Sequence, residues 1–281
     1  MRVIITVIIC LLVSSCSSQF AYRHLDWIIL WYSDDYLELD RQQEHTLEAE
    51  LSHLLQWHEQ SELPKYRAQL QSILNDLTAL PLSEAIITQH INIIFQHWQF
   101  MRNHISAQLP ELISQLKPYQ IDYLFKQLDE RNQQRLNDYK ELTAEEVKSE
   151  KLERMEEVLI DWLGSITSIQ ASLLLEFINK QQDTTVERIA YLKAYQQKLK
   201  ITMQPPINNT LLLNILNHPD EFKSQEYKAL QLSNRINTVA FIRDLSVHLQ
   251  PEQISHLRNK IQDYINTING ILQASTKKAT K

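Results

Sequence analysis

Apolar residues recur along the chain at helical spacing. Ile87, Ile91, Ile94, Trp98, Met101 and Ile105 stand three or four apart, which puts all six on one stripe of a helix. Leu152, Met155, Leu159 and Trp162 repeat the pattern. The intervening positions are rich in Glu, Gln, Lys and Leu, which form helices readily. No stretch alternates apolar and polar residues for long between turn residues. The pattern predicts an all-α fold of about ten helices, as stacked helical hairpins or an irregular multi-helix bundle. Breaks fall at identifiable residues. Pro64 follows a helix expected to end near Gln60, and Pro81, Pro110 and Pro118 mark further ends or first turns. Leu163-Gly164-Ser165 reads as a helix stop. Gln204-Pro205-Pro206 and Asn217-His218-Pro219 cannot continue a helix.

A weak repeat stands at several helix starts: an apolar residue, a cap, two residues, Gln, then Leu four residues on. It occurs as Leu39-Asp40-x-x-Gln43 with Leu47, Leu116-Lys117-Pro118-x-Gln120 with Leu124, Ile166-Thr167-x-x-Gln170 with Leu174, and Leu249-Gln250-Pro251-x-Gln253 with Leu257. Leu142-Thr143-x-x-Glu146 carries the first half only. The physics is a capping box: the cap side chain accepts an orphan N–H and the third residue reaches back. Lys117 and Gln250 are poor caps, so proline must do more there. The repeat suggests stacked hairpins, against the alternative that any all-α protein reuses good caps.

Composition narrows the function classes. Glycine occurs twice in 281 residues, at Gly164 and Gly270, which argues against dinucleotide folds, phosphate-cradling loops and hairpin-rich β proteins. The formal charge of −6 gives no electrostatic reason to bind nucleic acid. The only cysteines are Cys10 and Cys16.

The N-terminus reads as an address. Val3 to Val13 is an apolar run behind Arg2, too short for a spanning helix and suited to a signal peptide over 1–15. Val13-Ser14-Ser15-Cys16 resembles the lipobox of bacterial lipoproteins. That resemblance implies acylation (palmitate among the chains) at Cys16, cleavage before it, and a membrane partner through that lipid. Ser17 implies outer-membrane sorting, facing the periplasm. The alternative is an ordinary cleavable signal with a chance cysteine. Residues 16–275 are expected to form a single helical domain, with sub-division near 164 or 205, and 276–281 a basic flexible tail.

Trp27-Ile28-Ile29-Leu30-Trp31-Tyr32-Ser33-Asp34-Asp35-Tyr36 is the strongest candidate surface. Trp27, Trp31, Tyr32, Asp34, Asp35 and Tyr36 suit partner binding, since Trp and Tyr combine large area with a polar tip. In the structural alternative the tryptophans fill the core and Asp34 or Asp35 caps the next helix. His90, His97 and His104 line one helix face, but neighbours stand about 10.5 Å apart along the axis. They read as residues bordering an apolar seam, so no metal and no cofactor is expected. Glu145-Glu146 and Glu156-Glu157 lie in a charged run that reads as a solvated face, not an acid–base pair.

Two blocks carry a wider resemblance. One is Tyr22-x-x-Leu25-Asp26-Trp27-x-x-x-Trp31-Tyr32-x-Asp34-Asp35-Tyr36, with Trp57-His58-x-x-x-Glu62-Leu63-Pro64-x-Tyr66. The other comprises Arg154-Met155-Glu156-Glu157, Trp162-Leu163-Gly164, Glu226-Tyr227 and Asn234-Arg235. Together they are similar to a family of uncharacterised proteobacterial lipoproteins, a domain of unknown function, which implies a helical fold and an envelope location. The repeat distantly resembles the LTxxQ motif of Spy-like periplasmic chaperones, with its Thr kept only at Thr167 among the Gln copies. The expectation is a non-enzymatic interaction or chaperone-like module binding envelope proteins. One alternative is an envelope hydrolase or metal-handling enzyme assembled from distant residues, such as His58 with Glu62. Another is a structural spacer.

Overall fold

A computed structural model describes residues 21–279, with side chains to Ser275. The expected signal peptide over 1–15 and the expected lipid site Cys16 lie outside the described residues. Within them the chain is all-α. The helices are α1 (Leu25–Ser33), α2 (Arg41–Trp57), α3 (Leu63–Asp76), α4 (Glu84–Ser114), α5 (Pro118–Lys140), α6 (Ala144–Leu163), α7 (Ser168–Lys180), α8 (Thr185–Met203), α9 (Asn209–Asn217), α10 (Gln225–Val247) and α11 (Pro251–Ala279). A π-turn, His58–Glu62, joins α2 to α3, and a 3₁₀ turn, Pro219–Phe222, precedes α10. No described helix is long and apolar enough to cross a membrane.

Most starts and stops follow the sequence. Thr143 and Thr167 cap α6 and α7 through boxes with Glu146 and Gln170. Gly164 ends α6 at φ +79°, a conformation an L side chain resists. Two prolines act differently from expectation. At Pro64 the helix does not stop near Gln60. The ring removes an N–H and crowds the carbonyl four residues back, and the chain widens into the π-turn, whose Leu63 N–H reaches the His58 carbonyl. Pro110 lies buried inside the 31-residue α4 rather than at an end. Helix α11 continues to Ala279, so the backbone of 276–279, expected to be a flexible tail, is helical.

The four Gln copies of the repeat meet in two pairs. Gln43 Nε2 donates to Gln120 Oε1 at 3.0 Å, and Gln120 Nε2 donates to Gln43 Oε1 at 2.8 Å. Each oxygen also accepts the backbone N–H of its own cap residue, Asp40 or Lys117, at 2.9 and 2.8 Å. Each nitrogen gives its second hydrogen to the carbonyl two residues before the partner's cap, Gln115 or Glu38, at 2.7 and 2.5 Å. Gln170 and Gln253 repeat every element of this clasp. They exchange bonds of 2.8 and 2.9 Å, and they accept from Thr167 and Gln250 at 2.8 and 2.9 Å. They donate to the carbonyls of His248 and Ser165 at 2.9 and 2.7 Å. All four side chains are buried, and every hydrogen-bonding position of each amide is used.

The clasps relate two halves of the chain. Helices α1 to α5 correspond to α6, α7, α8, α10 and α11. Contacts obey the same correspondence: α1 packs on α2 as α6 does on α7, and α2 on α4 as α7 does on α10. The last helix of each half packs on the third helix of the other, α5 on α8 and α11 on α3. Helices α4 and α10, which correspond to each other, cross between the halves. The core falls into three clusters: one around Leu174, Phe177 and Leu245, one around Ile121, Phe125 and Leu212, and one where Leu74 and Leu77 meet Ile261 and Ile265.

Candidate functional site

The aromatic-acidic block splits into two sides. Trp27 and Trp31 are 63% and 58% exposed, so the core-filling alternative does not hold for them. Asp34 and Asp35 are also exposed and continue the Trp27–Trp31 side at helical spacing. Neither caps the next helix: Asp34 stands at the C-terminal end of α1, and Asp40 caps α2. Tyr32 and Tyr36 turn the other way. Their hydroxyls lie 3.0 Å apart, Arg131 on α5 donates to the Tyr32 hydroxyl at 2.6 Å, and its guanidinium lies over both rings. The six candidate residues therefore do not form one surface.

Beside the connection from α1 to α2, where Leu37 and Leu39 line it, the helices leave a cleft. It has a volume of about 390 Å³ and is walled by Leu47 of α2, Leu109 and Leu112 of α4, Leu124 and Leu128 of α5, and Leu192 and Leu199 of α8. A smaller hollow of about 190 Å³ between α2 and α4 shares Leu47, Leu109 and Leu112 with it, so the two adjoin. The few polar residues in the larger wall are largely committed. Gln43 is held in its clasp, and Gln196 Oε1 accepts from Asn132 at 2.7 Å. Water in such a space finds few partners, which favours an apolar occupant.

The π-turn builds a second constellation. Glu62 is fully buried. Its Oε1 accepts from Ser61 Oγ at 2.9 Å and from Lys65 Nζ at 2.7 Å, and its Oε2 is buried without a hydrogen-bond partner among the described residues. The Tyr22 hydroxyl meets His58 Nδ1 at 2.8 Å. Tyr66 presents its ring to His58 and to His97, and His97 Nε2 is buried without a partner among the described residues. Burial lowers the pKa of both His58 and His97, opposed in each by the Glu62 charge. Burial pushes the Tyr22 hydroxyl far above its ordinary value. Sequence reasoning named His58 with Glu62, one helical turn apart, but did not join Tyr22, Tyr66 and His97 to them in one cluster. Only the proline behind Glu62 hinted at the turn.

The three histidines of α4 face different partners. His90 lies 2.7 Å from Asp76, His97 meets Tyr66, and His104 stacks on Trp57 with ring centres 3.5 Å apart. Among the described residues no group of three His, Cys, Asp or Glu is placed to hold a metal ion. The acid run of α6 forms surface pairs such as Glu150 with Arg154 at 3.9 Å.

Residues 35–228, more than half of the chain, match a family model described as a family of unknown function. No curated protein and no solved structure matches.

Proposed function

As the chain belongs to the DUF6279 family, whose description carries no activity, we propose its function from geometry. It is a non-enzymatic interaction or chaperone-like module that receives apolar segments of other envelope proteins. Lipid on Cys16 anchors it to the periplasmic leaflet of the outer membrane. The observation that supports this reading is the leucine-lined cleft between α2, α4, α5 and α8. Burying an apolar group there is favoured by roughly 25 cal/mol per Å² removed from water. The anchor is supported by the apolar run ending at Cys16, where several acyl chains give stable attachment and one chain gives little.

The test is suppression of light scattering when a denatured test protein is diluted into buffer with the mature chain. The wild type should suppress aggregation, and Leu128→Glu and Leu199→Glu should lose most of the effect while keeping their helical circular dichroism. Equal suppression by all three would remove the cleft from the function.

A second reading, an envelope hydrolase, draws on one observation: the fully buried Glu62 carboxylate, one oxygen of which has no hydrogen-bond partner among the described residues, in the cluster with His58 and His97. It requires turnover of chromogenic esters that Glu62→Gln abolishes. Equal rates in the two proteins would dismiss it.

A further inference from the structure

We propose that the cleft is a receptor for an amphipathic α-helix of a partner protein, one carrying bulky apolar side chains at the spacing of Leu152, Met155, Leu159 and Trp162 on α6. The proposal rests on the interaction reading above and names the chemistry of what is bound.

The internal correspondence carries the argument. Seven residues after their caps stand Leu47 and Leu174, and Leu124 and Leu257. One and five residues before the caps of α5 and α11 stand Leu116 and Leu112, matched by Leu249 and Leu245. In the second half these positions are covered. Leu159 and Leu163 of α6 pack in one cluster with Leu174 and Leu245, joined by Leu152, Met155, Leu249 and Leu257. Trp162 reaches the neighbouring cluster of Leu74, Ile261 and Ile265. In the first half the matching leucines Leu47, Leu112, Leu116 and Leu124 line the cleft.

The difference lies in what covers them. Counting back eight, five and four residues from the cap gives Leu159, Trp162 and Leu163 in one half, and Tyr32, Asp35 and Tyr36 in the other. Tyr32 and Tyr36 are engaged with each other and Arg131, and Asp35 is exposed where Trp162 fills space. Helix α1 has nine residues and no buried side chain, whereas α6 has twenty. Among the described residues the first half thus keeps the apolar seat of a helix like α6 without the bulk that fills it. A helix with apolar residues three and four apart presents the stripe this seat fits.

The experiment uses a fluorescent synthetic peptide of residues 144–163, carrying a photo-crosslinker, added to the full mature chain. Saturable one-to-one binding is expected, with crosslinks on α5 or α8. Peptide Trp162→Ala should bind at least tenfold more weakly. In the protein, Asp35→Trp restores the missing bulk at an exposed position and should weaken binding at least tenfold. Leu192→Trp, a plug from the opposite wall, should do the same. Unchanged affinity in both protein variants overturns the proposal. So do crosslinks confined to α7 and α11, which would report exchange with native α6. Saturable binding of a long-chain fatty acid with none of the peptide assigns the cleft to lipid and also overturns it. Cleft-dependent suppression of aggregation without peptide binding would leave the module reading standing and this proposal refuted. Loss of both would refute both.

Discussion

Replacing Gln170 by Leu tests whether an amide clasp holds the starts of α7 and α11 together within their half of the chain. Gln170 is fully buried and makes four hydrogen bonds of 2.8 to 2.9 Å, to Thr167, His248 and both amide atoms of Gln253. The substitution strands the Thr167 N–H, takes one of two donors from the His248 carbonyl, which Gln250 Nε2 also reaches at 3.1 Å, and leaves each amide atom of Gln253 with one partner instead of two. Each buried group left unmade costs about 1–3 kcal/mol. The leucine side chain returns part of this by apolar burial. A net loss of about 3–5 kcal/mol follows, a large share of the roughly 5–15 kcal/mol typical of a folded domain. Removing Gln253 as well also deletes the stranded amide. The double variant should therefore be less damaged than the two singles added, by about 1–3 kcal/mol. The assay is urea unfolding of the two singles and the double, followed by tryptophan fluorescence and far-ultraviolet circular dichroism. A single-variant loss below about 1 kcal/mol, or additivity within about 0.5 kcal/mol, would refute the clasp as a mutual unit.

Further outcomes follow from other sites. Gly164→Ala should cost about 1–2 kcal/mol, because φ is +79° and the new Cβ would stand 3.1 Å from the His256 ring, and thermal unfolding reads this directly. His58 and His97 have folded-state pKa values below the ordinary 6.5, so the folded chain binds fewer protons than the unfolded one. Their effect is constant above that value, and stability falls as pH drops below it. The urea midpoint should decline from pH 7 to 5 and decline less in His58→Gln, and equal slopes would remove His58 from the account. Asp34→Asn with Asp35→Asn removes anions from the C-terminal end of α1 and should leave the melting temperature unchanged or slightly raised. A clear drop would show a structural role. Cys16→Ser should abolish palmitate labelling and release the chain from the membrane fraction, and unchanged fractionation would count against the lipid anchor.

Local physics made the helices readable. The stripes of α4 and α6, the box at Thr143 and the stop at Gly164 each involve residues within one or two turns of each other. The two prolines misled because helix propensity treats them as breaks. The π-turn absorbs Pro64, and Pro110 is buried within the packing of a 31-residue helix. Contacts across the chain left no mark on spacing: Tyr22 reaches His58 over 36 residues and Gln170 reaches Gln253 over 83. One signal of the clasp does lie in the sequence. A capping box works with either Glu or Gln, yet the four paired copies all carry Gln, while the unpaired copy at Thr143 carries Glu146. Reciprocal exchange needs a donor as well as an acceptor, and an ionised carboxylate has no donor. The candidate surface was harder to read because a tryptophan on a short helix has the same spacing whether it points inward or outward. The cleft is walled by α2, α4, α5 and α8, elements far apart along the chain, so local spacing does not show that they meet.

The crossing of the two halves also fixes the order in which the chain can be completed. Arg258 donates to the carbonyl of Leu74 across 184 residues, and α3 finds its main cover in α11. During synthesis from the amino end, that seam stays wet until the final helix emerges. Contacts so distant in sequence slow folding and prolong exposure of sticky surface. A truncated product ending before α11 would carry this seam permanently and become a substrate for proteases. Two fragments produced together, split at Gly164, would by contrast have every surface they need to rebuild one another.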